Sequence, residues 1–362
     1  MDRPFDGWPH VICSQQFSRS WLEDQLFPEA RSMKLVVGQG GCDILKGVRA
    51  VSFFYQKSTR TAASFAMATD FLGGKVVYST ENAREFSGAS VGEILPDTIL
   101  VLNRFRPDVI FLRYDQEIGA EIAAGVSSVP IINAGDRHPA DRPQSPYSGQ
   151  HPTQAFLDLF TIQERFGRID GIKIAVVGDL KNGRTVRSLA YLLGKFKGVE
   201  IYFVSPETAR MRDDVTEYLN RHNVRFKELR DLRQIAPLVD VVYQTRTQNE
   251  CGTQFDRNDH ELGYFIVDLG VVNSMKKHSI VMHPLPRVDE ITPDVDSDER
   301  AVYLTDQVDS GLFTRMALLK IILAPPRRRW FMRPLGPSFF SRRRPLLNRP
   351  VNLGQIKEVD QT

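Results

Sequence analysis

AVSFFYQKSTRTAASFAMATDFLGGKVVY, residues 50–78, decides the fold. Its first six residues, Ala50–Tyr55, form a short apolar run of β-branched and aromatic side chains, the pattern of a buried strand. From Ser58 the period changes. Phe65, Ala68, Phe71 and Leu72 recur at helical spacing and predict an amphipathic helix over 58–73, stopped by Gly73-Gly74. Lys75–Tyr78 reads as strand again. A strand, a helix and a second strand in this order predict a parallel sheet covered by helices.

Working outward, the same alternation continues on both sides. Residues 17–32 predict a first helix with Leu22, Leu26 and Ala30 on one face. After a polar loop from Ser79 to about Ser90 come a helix at Asp97–Phe105, a strand at Val109–Arg113, a short helix at Glu117–Ala124 and a strand at Val129–Asn133. A second series begins at the strand Lys173–Gly178 and continues with a helix at Thr185–Phe196, a strand at Glu200–Val204 and a helix at Asp213–His222. Strands at Val239–Thr245, Phe265–Asp268 and Ile280–Met282 follow. The periodic stretch His151–Phe166 predicts a long helix bridging the two series, and Gly311–Leu323 a closing one. The expected class is α/β, with two doubly wound parallel-sheet domains. A length of 362 residues agrees with two domains.

The formal charge of +3 hides an uneven distribution. Residues 325–349 hold eight Arg and no other charged residue, and 350–362 add −1, so the first 324 residues carry −4. The basic pI of about 8.7 therefore belongs to the tail, and nucleic acid is not an expected partner of the body. The tail, rich in Arg and Pro and without periodicity, reads as an irregular extension. Cys13, Cys42 and Cys251 are scattered and no metal-ligand spacing occurs among the seven His, so neither a disulfide framework nor a metal site is expected. No run of about 18 apolar residues is present, and the first residues lack the layout of a signal peptide. A cytoplasmic protein without membrane contact is the expectation.

Several segments at strand ends carry chemistry. Ser58-Thr59-Arg60-Thr61 opens a helix directly after a buried strand, where unpaired N–H groups, hydroxyls and a guanidinium suit a phosphate, or where a serine simply caps the helix. Arg113 ends the strand VIFLR, and ligands of open α/β sheets collect at strand carboxyl ends. His151-Pro152-Thr153-Gln154 opens the bridging helix. Gly178-Asp179-Leu180-Lys181-Asn182-Gly183-Arg184-Thr185 joins a strand to a helix without matching GxGxxG, which weakens a dinucleotide reading. Thr245-Arg246-Thr247-Gln248 and His283-Pro284-Leu285-Pro286-Arg287 each follow a strand, and the prolines of the latter hold its backbone carbonyls in a set shape.

Together with Arg315-Met-Ala-Leu-Leu319, these six motifs occur in an order and at spacings that resemble the catalytic chain of the aspartate carbamoyltransferases, with ENAREFS (81–87) and 187–197 most like the plant-type branch. The ornithine enzymes carry His-Cys-Leu-Pro where this chain reads His-Pro-Leu-Pro. The resemblance spans about residues 10–323. It implies transfer of a carbamoyl group from carbamoyl phosphate to the amine of L-aspartate, in pyrimidine synthesis and without a cofactor. It implies that residues 1–152 plus 310–324 bind carbamoyl phosphate, with the last helix returning to that first domain, and that 153–309 bind aspartate. By motif, Ser58, Thr59, Arg60 and Thr61 would hold the phosphate. Thr61, Arg113 and His151 would polarise the carbonyl oxygen. Gln154 and the carbonyls of Leu285 and Pro286 would orient the carbamoyl amine. Arg184, Arg246 and Gln248 would hold the aspartate carboxylates. Ser87 would act from a loop that reaches the neighbouring site of a homotrimer.

The chain departs from the family pattern in four places. Val91 stands where the loop lysine belongs. Gln56 replaces a glutamate two residues before the STRT motif. Asn249-Glu250-Cys251 replace a basic residue, Glu and Arg. The segment Arg137–Gln150 is about ten residues longer than its counterpart. Loss of a charge-assisted contact to a buried anion costs roughly 2–5 kcal/mol, or about 30- to several thousand-fold in rate. Arg84, in the same loop, is a candidate substitute for the lysine. Three readings follow from the residues: an aspartate carbamoyltransferase at full or reduced activity, a carbamoyltransferase for another amine, and a non-catalytic ligand-binding relative.

Overall fold

The computed structural model describes residues 10–137, 145, 147, 149–246 and 265–324. Gln248, the Asn249–Cys251 substitutions, most of the long 137–150 segment and the Arg-rich tail lie outside these residues.

The first sheet is parallel, in the order β2-β1-β3-β4. Its strands are β1 (Arg49–Phe54), β2 (Lys75–Thr80), β3 (Val109–Arg113) and β4 (Ile131–Asn133). β1 and β3 occupy the centre, and their residues are buried almost throughout, as apolar runs require. β2 is an edge strand with mostly exposed side chains. The order reverses between β1 and β3, the point at which α/β sheets open a crevice.

Before this sheet, a single turn α1 (Arg19–Trp21) runs through five residues of π-type backbone into α2 (Phe27–Gly38). Leu22, Leu26 and Ala30 are fully buried, as the pattern predicts. The helix continues beyond residue 32 because Val36 and Val37 pack on the main core. α3 (Thr59–Phe71) buries Phe65, which stacks on Phe111 with ring centroids 4.2 Å apart. The expected polar loop after β2 instead folds into α4 (Ala83–Phe86) and a 3₁₀ turn (Gly88–Val91), turned over Ala83 and Ala89, both buried. α5 (Leu95–Arg104) and α6 (Gly119–Val126) complete this half.

α7 (Pro152–Phe166) bridges to a second parallel sheet of order β7-β6-β5-β8-β9. The strands are β5 (Lys173–Val177), β6 (Glu200–Val204), β7 (Arg225–Leu229), β8 (Val241–Gln244) and β9 (Ile280–Met282). α8 (Arg184–Leu193) and α9 (Asp213–Arg221) follow β5 and β6. β7 is absent from the sequence reading. Its residues RFKEL are mostly exposed at the sheet edge, so they carry no core pattern. The strand expected at Phe265–Asp268 reduces to one bridge, Val267 to Ile291, after which Asp268 caps α10 (Leu269–Ser274) through its side chain. Here the capping preference of Asp prevails over the apolar run. α11 (Asp306–Leu323) begins earlier than expected and packs along α2, α3 and α7. It thus returns to the first sheet, and one continuous core joins both halves.

Candidate active site

The order of the second sheet reverses between β5 and β8. The carboxyl ends at both reversals meet. Arg184, the first residue of α8, donates from Nη1 to the Oε1 of Gln56 after β1 (3.1 Å) and to the carbonyl of Asp136 after β4 (3.3 Å). The backbone N–H of His151 donates to the Ser188 hydroxyl on α8 (2.8 Å). Segments from the ends of both sheets therefore close around one cleft.

Gly135 lies at its centre. With φ at +117°, it adopts a backbone that other residues rarely take, and a Cβ placed there would lie 3.1 Å from Arg113 Nη1, 3.1 Å from His151 Cδ2 and 3.3 Å from Arg184 Nε. Only glycine leaves these three side chains room to converge.

Each side chain is held by its element. Arg113 is buried at the end of β3 and donates from Nη1 to the Ala134 carbonyl (3.1 Å), while its buried Nε has no partner among the described residues. Ser58 caps α3 without a side-chain hydrogen bond, so its hydroxyl is not engaged by the helix it opens. The first intrahelical bond there runs from Ala62 N–H to the Ser58 carbonyl. The amides before it stay open at the helix N-terminus, flanked by Thr59, Arg60 and the buried Thr61. Arg246 ends the described part of the segment after β8.

The electrostatics show that these cations share one place. Burial holds the Arg113 guanidinium well below its ordinary pKa, and repulsion from Arg184 and Arg60 adds to this, with Asp136 opposing. Arg60 is lowered by partial desolvation and then by Arg246. His151 is pushed well below the ordinary range by burial, then by Arg113, Arg184 and Arg315, so its imidazole is neutral. His283 is also lowered by burial, with Glu290 opposing and Arg60 and Arg246 adding to it. Guanidiniums stay charged in proteins. Such a group of cations, with its imidazoles kept neutral, is built for an anion of more than one charge.

His151 caps α7, and its Nδ1 lies 3.4 Å from the Thr153 hydroxyl. When that hydroxyl donates, the imidazole keeps its proton on Nε2, where it can be given to an oxygen. Gln154 donates from Nε2 to Asp158 Oδ1 (2.9 Å), which leaves its Oε1 as an acceptor. In the turn after β9, Leu285 has φ at +53° and precedes a cis peptide to Pro286. The Leu285 N–H donates to His283 Nδ1 (2.7 Å), so the His283 proton sits on Nε2 and goes to Glu290 (2.8 Å). These two bonds hold the turn that presents the carbonyls of Leu285 and Pro286.

Ser87 is placed differently. Its hydroxyl donates to the Ala83 carbonyl (2.5 Å) and accepts from Ala89 N–H (3.2 Å), and among the described residues no hydrogen bond joins it to the cleft. Val91 is 88% exposed. Arg84, the candidate substitute for the absent lysine, is engaged by Asp115 through two hydrogen bonds (2.8 and 2.6 Å) and lies over the Tyr55 ring. It is not a free cation.

Sequence reasoning missed Gly135, Asp136 and Asp158. The first two follow a strand directly, so their position at a carboxyl end was a usable signal. Asp158 lies four residues after Gln154 on one helix, the spacing at which side chains meet. Among the described residues, no group of three His, Cys, Asp or Glu is placed to hold a metal, and no helix is long and apolar enough to cross a membrane.

Residues 9–164 match the family model described as the aspartate/ornithine carbamoyltransferase carbamoyl-P binding domain, and residues 170–322 match that of its Asp/Orn binding domain. The chain is 49% identical over 315 residues to the chloroplastic aspartate carbamoyltransferase of Arabidopsis thaliana, covering 86% of this chain and 77% of that one. It is 41% identical over 314 residues to the aspartate carbamoyltransferase catalytic subunit of Methanopyrus kandleri, covering 86% and 96%. Among solved structures, aspartate transcarbamoylase from Trypanosoma cruzi in complex with carbamoyl phosphate and aspartate superposes with a TM-score of 0.79 at 35% identity, covering 89% and 97%. The cleft at the meeting of the two sheets, the matched domains and these relatives together show that the chain belongs to the aspartate/ornithine carbamoyltransferase family.

Proposed function

We propose that the protein transfers the carbamoyl group of carbamoyl phosphate to the amine of L-aspartate, giving N-carbamoyl-L-aspartate and phosphate in pyrimidine synthesis. The observation that carries this reading is the convergence of Arg113, Arg184 and His151 around Gly135, with Arg60 close enough to act on Arg113 and Arg246 on Arg60. Both substrates are anions, and the relative from Trypanosoma cruzi is described with both of them.

In this reading, residues 1–152 with 310–324 bind carbamoyl phosphate and 153–309 bind aspartate. The open amides of α3 with Ser58, Thr59, Arg60 and Thr61 take the phosphate. Thr61, Arg113 and the Nε2–H of His151 donate to the carbonyl oxygen. The Oε1 of Gln154 and the carbonyls of Leu285 and Pro286 accept from the carbamoyl NH₂. Arg184 and Arg246, with Gln248, hold the aspartate carboxylates. The unprotonated aspartate amine attacks the carbonyl carbon, a carbon–nitrogen bond forms, the carbon–oxygen bond to phosphate breaks with its electron pair leaving on phosphate, and one amine proton passes to the departing phosphate. Oxyanion character grows where the donors already stand, so the site needs little rearrangement at that moment. A neutral His151 fits this role, since an imidazole can donate one hydrogen bond without adding a further charge among guanidiniums.

The assembly proposed is a homotrimer in the cytoplasm. Exposed Phe86 (69%), Val91 (88%) and Ile94 (58%) on the segment between β2 and α5 support a covered surface there. Several plant relatives are named chloroplastic, so cell fractionation is the test of compartment. Equilibrium sedimentation giving only the 41.1 kDa monomer at micromolar concentration would contradict the trimer.

The activity is tested by incubating the purified protein with carbamoyl phosphate and aspartate and measuring carbamoyl-aspartate. Turnover is expected, and it is expected to rise in Val91→Lys. Turnover with a different amine alone would reassign the acceptor. Binding of carbamoyl phosphate without turnover in either protein would overturn the catalytic reading.

A further inference from the structure

A buried polar network lies behind the cleft and reaches it through Gln154. Its hub is Asp158, on the second turn of α7 and fully inaccessible to solvent. Three donors from three separate elements meet its carboxylate. Gln154 Nε2, one turn back on the same helix, donates to Oδ1 (2.9 Å). Gln307 Nε2, at the start of α11, donates to the same oxygen (2.8 Å). The Tyr243 hydroxyl, from β8, donates to Oδ2 (2.7 Å). Gln307 in turn accepts from the His283 N–H with its Oε1 (2.9 Å). A continuous path therefore runs from Gln154 through Asp158 and Gln307 to the first residue of the turn that presents Leu285 and Pro286.

We propose that Asp158 is a positioning residue: it selects one of the two orientations of the Gln154 amide and ties that amide to the 283–286 turn, so that the acceptors for the carbamoyl NH₂ are set as a unit. The physical argument is one of parity. An amide group is nearly symmetric in shape but opposite in polarity at its two ends. Oδ1 receives both glutamine N–H groups whether or not Oδ2 holds a proton, so it accepts only; it binds the NH₂ end of Gln154 and leaves the oxygen end toward whatever approaches the helix N-terminus. Without that carboxylate the amide can turn over. Its NH₂ would then meet the NH₂ of the substrate, donor against donor, and discrimination in favour of an amide ligand would fall. Gln307 repeats the logic. Its Nε2 is bound to Asp158, so its Oε1 takes the His283 N–H, which fixes where the following carbonyls begin. The charged or titratable groups facing Asp158 are Tyr243 from β8, itself near Thr185 of α8, and Arg315 from α11. Arg315 lies over the Phe65 ring (5.1 Å). It compensates the hub from a distance.

This inference rests on the assignment of Gln154 to the carbamoyl amine, and the test separates the two. Two stable phosphonates are compared by calorimetry on the full chain: phosphonoacetamide, which carries the amide NH₂, and 2-oxopropylphosphonate, which has a methyl group in its place. Inorganic phosphate is the third probe. Wild-type protein should prefer the amide. Asp158→Leu should lose about tenfold of that preference, with phosphate affinity unchanged. Asp158→Asn should restore it, because an asparagine oxygen at the Oδ1 position still accepts from both glutamines and its NH₂ can donate to the Tyr243 hydroxyl. Tyr243→Phe keeps the shape of the core and serves if Asp158→Leu does not fold. It removes one of the three anchors and should lower the amide preference about threefold. Parallel loss of phosphate affinity in Asp158→Leu, equal loss in Leu and Asn variants, or full amide preference in Tyr243→Phe would overturn the proposal. Absence of any amide preference in the wild type would instead overturn the role given to Gln154.

Discussion

In the cleft floor, side chains from distant parts of the chain converge: Arg113 and His151 crowd against Gly135, Arg184 crosses to Gln56, and Gln154 is anchored on Asp158. In the segment from α4 to Ile94, side chains satisfy their own neighbourhood. Ser87 bonds Ala83 and Ala89, Arg84 bonds Asp115, and Val91 faces solvent. The first region is finished within one chain. The second is not, since Phe86, Val91 and Ile94 are exposed with nothing among the described residues to cover them. The difference teaches that binding and closure are built separately. The cleft cations come together across both sheets, while the segment in which a lysine was expected presents Val91 to solvent.

The strongest way to probe the cleft floor is through its buried carboxyls. Burial raises Asp158 from 3.8 to about 7. Between those values the unfolded chain has released its proton and the folded one keeps it, so stability falls as pH rises. The contribution of this one group is about 4 kcal/mol between pH 4 and pH 7. Urea unfolding across that range should show a shallower slope in Asp158→Asn, and an unchanged slope would mean that the hub is solvated. Next in size is Arg113→Ala. Loss of a donor aimed at the developing oxyanion should lower kcat by about 10²–10³-fold, and a loss below tenfold would remove Arg113 from the centre of the site. Val91→Lys is expected to raise kcat about 30-fold, with the affinity for phosphate little changed. A rise of that size would place the deficit in the segment and not in the cleft. Smallest is Ser87→Ala. Removing its cap should destabilise the segment by about 1 kcal/mol, visible as faster local proteolysis. It should also lower kcat/KM of the assembled protein, because Ser87 is assigned to a neighbouring subunit's site, and an unchanged value would remove it from that role.

Much of the fold was legible in the sequence because buried strands and amphipathic helices write their burial into local periodicity. Val109–Arg113, Glu200–Val204 and Ile280–Met282 are strands at the expected residues. Elements that escaped the reading lack such a record. β7 is an exposed edge strand, and α10 starts from a single capping aspartate. The cleft residues were legible for a related reason. Anion chemistry demands Ser, Thr and Arg at helix starts and strand ends, and those positions can be recognised along the chain. The structure adds what no local pattern contains: Arg84 is already paired, and Ser87 is held inside its own segment.

The sequence alone determined the two parallel sheets, the bridging and closing helices and the candidate anion-binding side chains, because each depends on neighbours within one or two turns or on motif spacing. Only the tertiary structure decided how those side chains are aimed. Asp158 meets Tyr243 and Gln307 across separations of 85 and 149 residues. Such bonds depend on three-dimensional approach and on which end of an amide faces a carboxylate, and neither is written in the order of residues along a helix.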